Sequence, residues 1–99
     1  MVTLKELEEL VQRARKYRLK IRIKFKGVKY GVIIESEIKA LDDMDRVVSW
    51  SKAFPLAPHQ VLTNYPVESV QVECSNNEVV WSGRTISDLL KSLDQLRCE

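Results

Sequence analysis

The 99-residue chain reads as an α+β domain in which an antiparallel sheet of two hairpins is packed on one face by an N-terminal and a C-terminal helix. Three observations predict this. Apolar residues recur at steps of three and four over 4–17 and again over 86–97, the spacing of a helix face. The period drops to two over 19–36 and 67–82, with turn-forming residues inside each stretch. Each of these four segments has one apolar face, and a single sheet covered on one side by both helices is the simplest way to bury them all.

The first helix starts at a capping box, Thr3 with Glu6: the hydroxyl accepts one orphan amide and the carboxylate returns to the other. Leu4, Leu7, Leu10, Val11, Ala14 and Tyr17 form its stripe, and acids near its start with bases near its end suit the helix dipole. Leu19, Ile21, Ile23 and Phe25 then alternate with Lys20, Arg22, Lys24 and Lys26, which predicts a half-buried strand with a cationic outer face. Gly27 supplies a positive φ for the turn, and Val28, Tyr30, Val32 and Ile34 continue as the second strand of a hairpin over 19–36.

The middle of the chain, 37–66, admits more than one local structure. Leu41, Met44, Val47 and Val48 suit a short helix capped by Asp42 or Asp43, whereas Arg46 to Ser51 equally suits a fifth, central strand after a turn at Asp42-Asp43. The strand is the preferred reading. Pro55, Pro58 and Pro66 mark 53–66 as a long connection, and its Phe54, Leu56, Val61, Leu62 and Tyr65 imply that it packs on the body or on a partner. Beyond it, Val70, Val72 and Cys74 alternate with polar residues, Ser75-Asn76-Asn77 turns, and Glu78 to Trp81 returns, giving a hairpin over 67–82. Gly83 ends it. Thr85 caps a last helix over 86–97, with Ile86, Leu89, Leu90, Leu93 and Leu96 on one face.

A composition of 44% hydrophobic and 30% charged residues belongs to a folded chain, and the length fits one domain over 1–99. No apolar run approaches the roughly 20 residues of a spanning helix, and the N-terminus lacks the order of a signal peptide. A cytoplasmic protein without a membrane partner is expected. Two cysteines without C-x-x-C spacing do not make a disulfide scaffold, so Cys74 is expected as a buried thiol and Cys98 as a frayed terminal one.

Charge is strongly segregated. From Leu10 to Ile34 no acid occurs, while nine bases lie between Arg13 and Lys29, and the remainder carries seven bases against fourteen acids. Such asymmetry points to nucleic acid or an acidic protein surface as partner. Lys20, Arg22, Lys24 and Lys26 would project from one strand face at about 6.6 Å intervals, extended by Arg13, Lys16 and Lys29. Four phosphate contacts on a duplex would give a log–log salt slope of roughly −3.6. Two structural readings compete: the bases protect a sheet edge, or the acid-rich stretch Glu35, Glu37, Asp42, Asp43 and Asp45 folds back to neutralise them. Because Tyr17, Phe25 and Tyr30 fall on core-facing positions, nucleic-acid binding would be largely nonspecific. The order helix, antiparallel strands, helix resembles a double-stranded-RNA-binding domain in topology, with Arg84-Thr85-Ile86-Ser87-Asp88 in place of that family's basic helix start.

No residue pattern calls for catalysis, and no cofactor or metal is expected. His59 is the single histidine, and neither a G-x-S-x-G elbow nor a glycine-rich phosphate loop occurs. Asp42-Asp43-Met44-Asp45 lacks the glycine and final glutamate of a calcium loop. Glu37-Ile38-Lys39 looks like the E-x-K half of the PD-(D/E)-x-K nuclease motif, but the preceding acid is missing, which leaves a metal-dependent nuclease a distant third reading. The alternative to acidic-partner binding is protein interaction. Lys52 to Pro58 matches the K-x-x-P-x-x-P ligand pattern, and Trp50, Phe54, Leu56 and Tyr65 are side chains of the kind that anchor a partner or a homodimer.

Overall fold

The computed structural model describes residues 2–98. Helix α1 runs from Leu4 to Tyr17 behind the expected capping box: Thr3 Oγ1 accepts the Glu6 amide at 3.1 Å and Glu6 Oε1 accepts the Thr3 amide at 3.0 Å. Arg18 ends it in the left-handed conformation (φ 56°), turning the chain directly into strand β1, Lys20–Phe25. Strand β2, Gly31–Ile34, returns antiparallel, pairing Ile21 with Ile34 and Ile23 with Val32. The chain continues through β3 (Ile38–Leu41), the two-residue β4 (Val47–Val48), a single helical turn α2 (Trp50–Ala53), helix α3 (Pro58–Asn64), β5 (Val67–Glu73), β6 (Val79–Gly83) and helix α4 (Ile86–Lys91).

The six strands form one antiparallel sheet in the order β4-β3-β2-β1-β5-β6, so β1 joins the two hairpins by pairing with β5. The α+β architecture is as expected, with two more strands than the hairpins supply. The helices share one side. Leu7, Leu10 and Ala14 of α1, Val61 and Leu62 of α3, and Ile86 and Leu89 of α4 form one core with Ile21, Ile23, Phe25, Val70 and Val72 of the sheet. The opposite face carries no helix. There stand the alternate residues, among them Lys20, Arg22 and Lys24 of β1 with their register partners Glu73, Gln71 and Ser69 of β5.

Several expectations need correction. Lys26 is not on the strand: β1 ends at Phe25, and the Lys26 amide instead donates to the Pro66 carbonyl ahead of the Gly27 turn (φ 69°). The long connection over 53–66 contains α3. Its prolines are punctuation of a different kind, because Pro58 occupies the first helical turn, where its missing amide costs nothing, and Gln60 Oε1 accepts the Ala57 amide at 3.2 Å. Of the two readings of 41–53 the helix over Leu41 to Val48 is not formed, since Leu41 ends β3 and Val47–Val48 is the short strand β4; the strand reading holds only for those two residues, at the sheet edge rather than its centre, because Ser49 leads straight into the helical turn α2. The last helix stops at Lys91; Ser92 leaves the α conformation and a single 3₁₀ turn, Leu93–Gln95, follows.

The cysteines explain that early end. Cys74 and Cys98 form a disulfide, with Cα atoms 5.7 Å apart, rather than a buried and a frayed thiol. The chain must turn back after α4 to reach the end of β5, and in doing so it buries Leu96 completely. Spacing of 24 residues alone carries no sign of this proximity, which the sheet and α4 create.

Candidate functional site

The open face of the sheet is where charged side chains gather. Two adjoining grooves, of about 660 and 210 Å³, meet over Arg22 and Lys24. Asp45 and Glu68 border both. Each arrives for a local reason. Lys24 pairs with Ser69 but Phe25 pairs with Val67, so Glu68 is the extra residue of a β-bulge and is re-aimed onto the open side. Asp45 adopts a positive φ of 60° at the tip of the β3–β4 turn. That turn is shaped by Asp42, whose carboxylate accepts the amides of Arg46 and Met44, each at 2.9 Å, and the Arg46 Nε at 2.9 Å. The Arg46 amide, then that of Met44, hold the Asp42 carboxyl below the usual carboxylate range, aided by the Arg46 guanidinium.

Arg22 is already occupied. Its Nε donates to Glu73 Oε1 at 3.2 Å and its Nη1 lies 3.9 Å from Asp45 Oδ1, with only 12% of the Glu73 side chain exposed. Beneath, Ile33 and Leu41 are 4% and 5% exposed although they belong to the open face. Together the grooves are bordered by four cations, Arg22, Lys24, Lys29 and Arg84, and five carboxylates, Asp42, Asp43, Asp45, Glu68 and Glu73. The surface is mixed in sign, with no cationic excess.

The nine-base cluster is thereby divided. Lys20, Arg22 and Lys24 share the open face, Lys20 Nζ lying 3.5 Å from Asn77 Oδ1. Lys26 and Lys29 lie in the β1–β2 connection, where Lys29 Nζ stands 5.6 Å from the Tyr30 ring. Arg13 and Lys16 are on α1, across the sheet from Lys24, and both lie over Tyr17, at 4.8 and 5.3 Å from its ring centroid. The Arg13 Nε and one terminal nitrogen are buried without a hydrogen-bond partner among the described residues. Arg15 and Arg18 flank a separate hollow at the α1–β1 junction with Lys20 and Glu35.

The residues expected to anchor a protein partner are brought together around a buried Phe54, with Trp50, Leu56 and Tyr65 half-buried against the core. Phe54 is 2% exposed and its ring meets those of Phe25, Tyr30, Trp50 and Tyr65 at centroid distances of 4.8 to 6.4 Å. Trp50 Nε1 donates to the Leu56 carbonyl at 2.7 Å, which closes the Pro55 turn against the body. Of the nuclease-like pair, Glu37 lies in the β2–β3 turn and Lys39 on β3, opposite Ile33. Among the described residues no three His, Cys, Asp or Glu side chains are grouped as metal ligands, and no helix is long and apolar enough to cross a membrane.

Sequence reasoning missed Glu68, Glu73 and Arg84 as neighbours of the basic strand. Glu73 stands at a polar position of an alternating strand and was visible as such; its pairing with Arg22 depends on the register of β5 against β1, which local pattern does not encode. Glu68 needs the bulge. No family model, no curated protein and no solved structure matches the chain.

Proposed function

We propose that this protein is a non-catalytic binding domain that engages another protein through the open face of its sheet. The observation that carries the reading is the composition of that face: cations and carboxylates interleaved around grooves, on the one side of the sheet that no helix covers. Interleaved charge selects a partner by register, since a misplaced segment brings like charges together. A duplex presents unbroken negative charge and would meet Asp45, Glu68 and Glu73 among the cations. The earlier candidate anchors Phe54 and Tyr65 serve the core instead, which moves the interaction from the 50–66 segment to the sheet.

The test is selection of displayed random 12-residue peptides on the wild-type protein, with a Ser82→Trp variant that fills the larger groove as counter-selection. Selected peptides are expected to shift the amide resonances of Lys24, Ser69, Gln71 and Ser82 and to lose binding to the variant. Shifts confined to α1, α3 and α4 would overturn the reading. Labelled DNA and RNA, single- and double-stranded, form the second arm: salt-steep binding abolished by Lys20→Glu/Arg22→Glu/Lys24→Glu would place nucleic acid on this face and also overturn it.

A further inference from the structure

One row across the open face is built differently from its neighbours. Lys24 on β1 pairs with Ser69 on β5, β5 pairs Val70 with Gly83 at the end of β6, and Arg84 follows directly after that strand. With strands about 4.8 Å apart, β1 and β6 lie about 10 Å from each other, with Ser69 of β5 between them. Lys24, Ser69 and Arg84 all border the larger groove. In the adjacent row Arg22 is consumed by Glu73 and Asp45, whereas neither Lys24 nor Arg84 takes part in an ion pair among the described residues. Both are exposed.

Two cations left open over a hydroxyl form a receptor for one anionic group, and the carboxylates beside them, Glu68 and Asp45, favour a positive charge next to it. We propose that the groove holds one acidic side chain of a partner polypeptide, a carboxylate or a phosphoserine, between Lys24 and Arg84 above Ser69. A basic side chain of the same segment then meets Glu68 and Asp45. This rests on the reading that the open face binds protein, and adds which residues anchor the partner and what chemistry they select.

The experiment uses immobilised ten-residue peptides with Glu, phosphoserine, Gln or Lys at the centre and Lys or Gln at the flanks. They are titrated with wild type, Lys24→Glu/Arg84→Glu, Lys20→Glu and Ser82→Trp, each first shown to be folded by circular dichroism. Wild type is expected to prefer an acidic centre with a Lys flank over the Gln peptides by about tenfold or more. Charge reversal at 24 and 84 should remove that preference and transfer it to the Lys-centred peptides, and Lys20→Glu should leave it within about twofold. The ratio of Glu to phosphoserine binding tells which anion is preferred. Unchanged selectivity after charge reversal overturns the anchor; if Ser82→Trp still abolishes binding, the open face survives without it. Peptides that bind all four proteins alike overturn both, and no binding by wild type to any peptide overturns the anchor.

Discussion

The two faces of β1 follow the same alternation and obey different physics. Ile21, Ile23 and Phe25 are at most 3% exposed beneath α1, α3 and α4, and burial of area alone holds them there. Lys20, Arg22 and Lys24 stand on the other side, and their surroundings depend on which strand was placed alongside. Glu73 reaches Arg22, and among the described residues nothing equivalent reaches Lys24. The apolar face is therefore a property of the strand, whereas the polar face is a property of the assembled sheet.

Breaking the covered face should have the largest effect. Phe54→Ala removes the ring at the centre of the aromatic cluster and is expected to cost about 3–5 kcal/mol in chemical denaturation. Reducing the Cys74–Cys98 bond comes next. Opening a loop with a separation of 24 residues should lower stability by about 3 kcal/mol, read as a drop in Tm on adding reductant that a Cys98→Ser variant no longer shows. Without the tether that returns the chain to β5, the reduced protein should also expose Leu96 and speed hydrogen exchange over 92–98.

The open face should respond more weakly and unevenly. Arg22→Ala leaves the largely covered Glu73 carboxylate without its donor and is expected to cost about 1–2 kcal/mol, recovered in part by Glu73→Gln in a double-mutant cycle. Lys24→Glu should change stability by no more than about 0.5 kcal/mol, because no ion pair among the described residues is lost. Equal effects at Arg22 and Lys24 would erase the distinction between the occupied and the open cation.

The smallest effect sharpens the same contrast at the β3–β4 turn. The Asp42 carboxyl sits below its usual range because of the Arg46 and Met44 amides, so the turn's stabilisation is fully present above the ordinary carboxylate pKa of about 3.9. It is lost as pH falls through the lower, folded value. The amide resonances of Met44 and Arg46 should move in that acid window and not at neutral pH, and Asp42→Asn should remove the transition.

Both sheet edges are also managed, which bears on how this face is used. β4 has only two residues, and β6 pairs Glu73 with Val79 but Val72 with Trp81, a bulge that distorts the outer strand. Trp81 folds back over Gly83, where any Cβ would collide with the indole. The basic residues of β1 need no edge-protecting role, since β1 lies inside the sheet between β2 and β5.

What was legible in the chain was local. Thr3 and Glu6 announced α1, the alternation at Leu19 to Phe25 announced β1, and Thr85 announced α4, because caps and periodicity are written in neighbouring residues. Pro58 was readable too, but as a helix start rather than a break, and choosing between those uses requires knowing that Val61 and Leu62 have a core to enter. Of the acid-rich stretch read as folding back onto the basic strand, Asp45 alone forms an ion pair there among the described residues, 3.9 Å from Arg22, while Asp42 turns instead to Arg46.

By itself the sequence determined the first helix, the start of the last one, the two hairpins and the apolar side of β1 and β5, since those follow from hydrophobic period and capping within a few residues. Only tertiary structure decided the disulfide, the central position of β1, the bulge at Glu68 and the sorting of nine clustered bases into occupied, stacked and open ones. The reason is range: hydrophobic period and capping are written in near neighbours along the chain. Strand register and charge pairing join residues about fifty apart, as Arg22 and Glu73 are, and no local pattern specifies which strands will lie side by side.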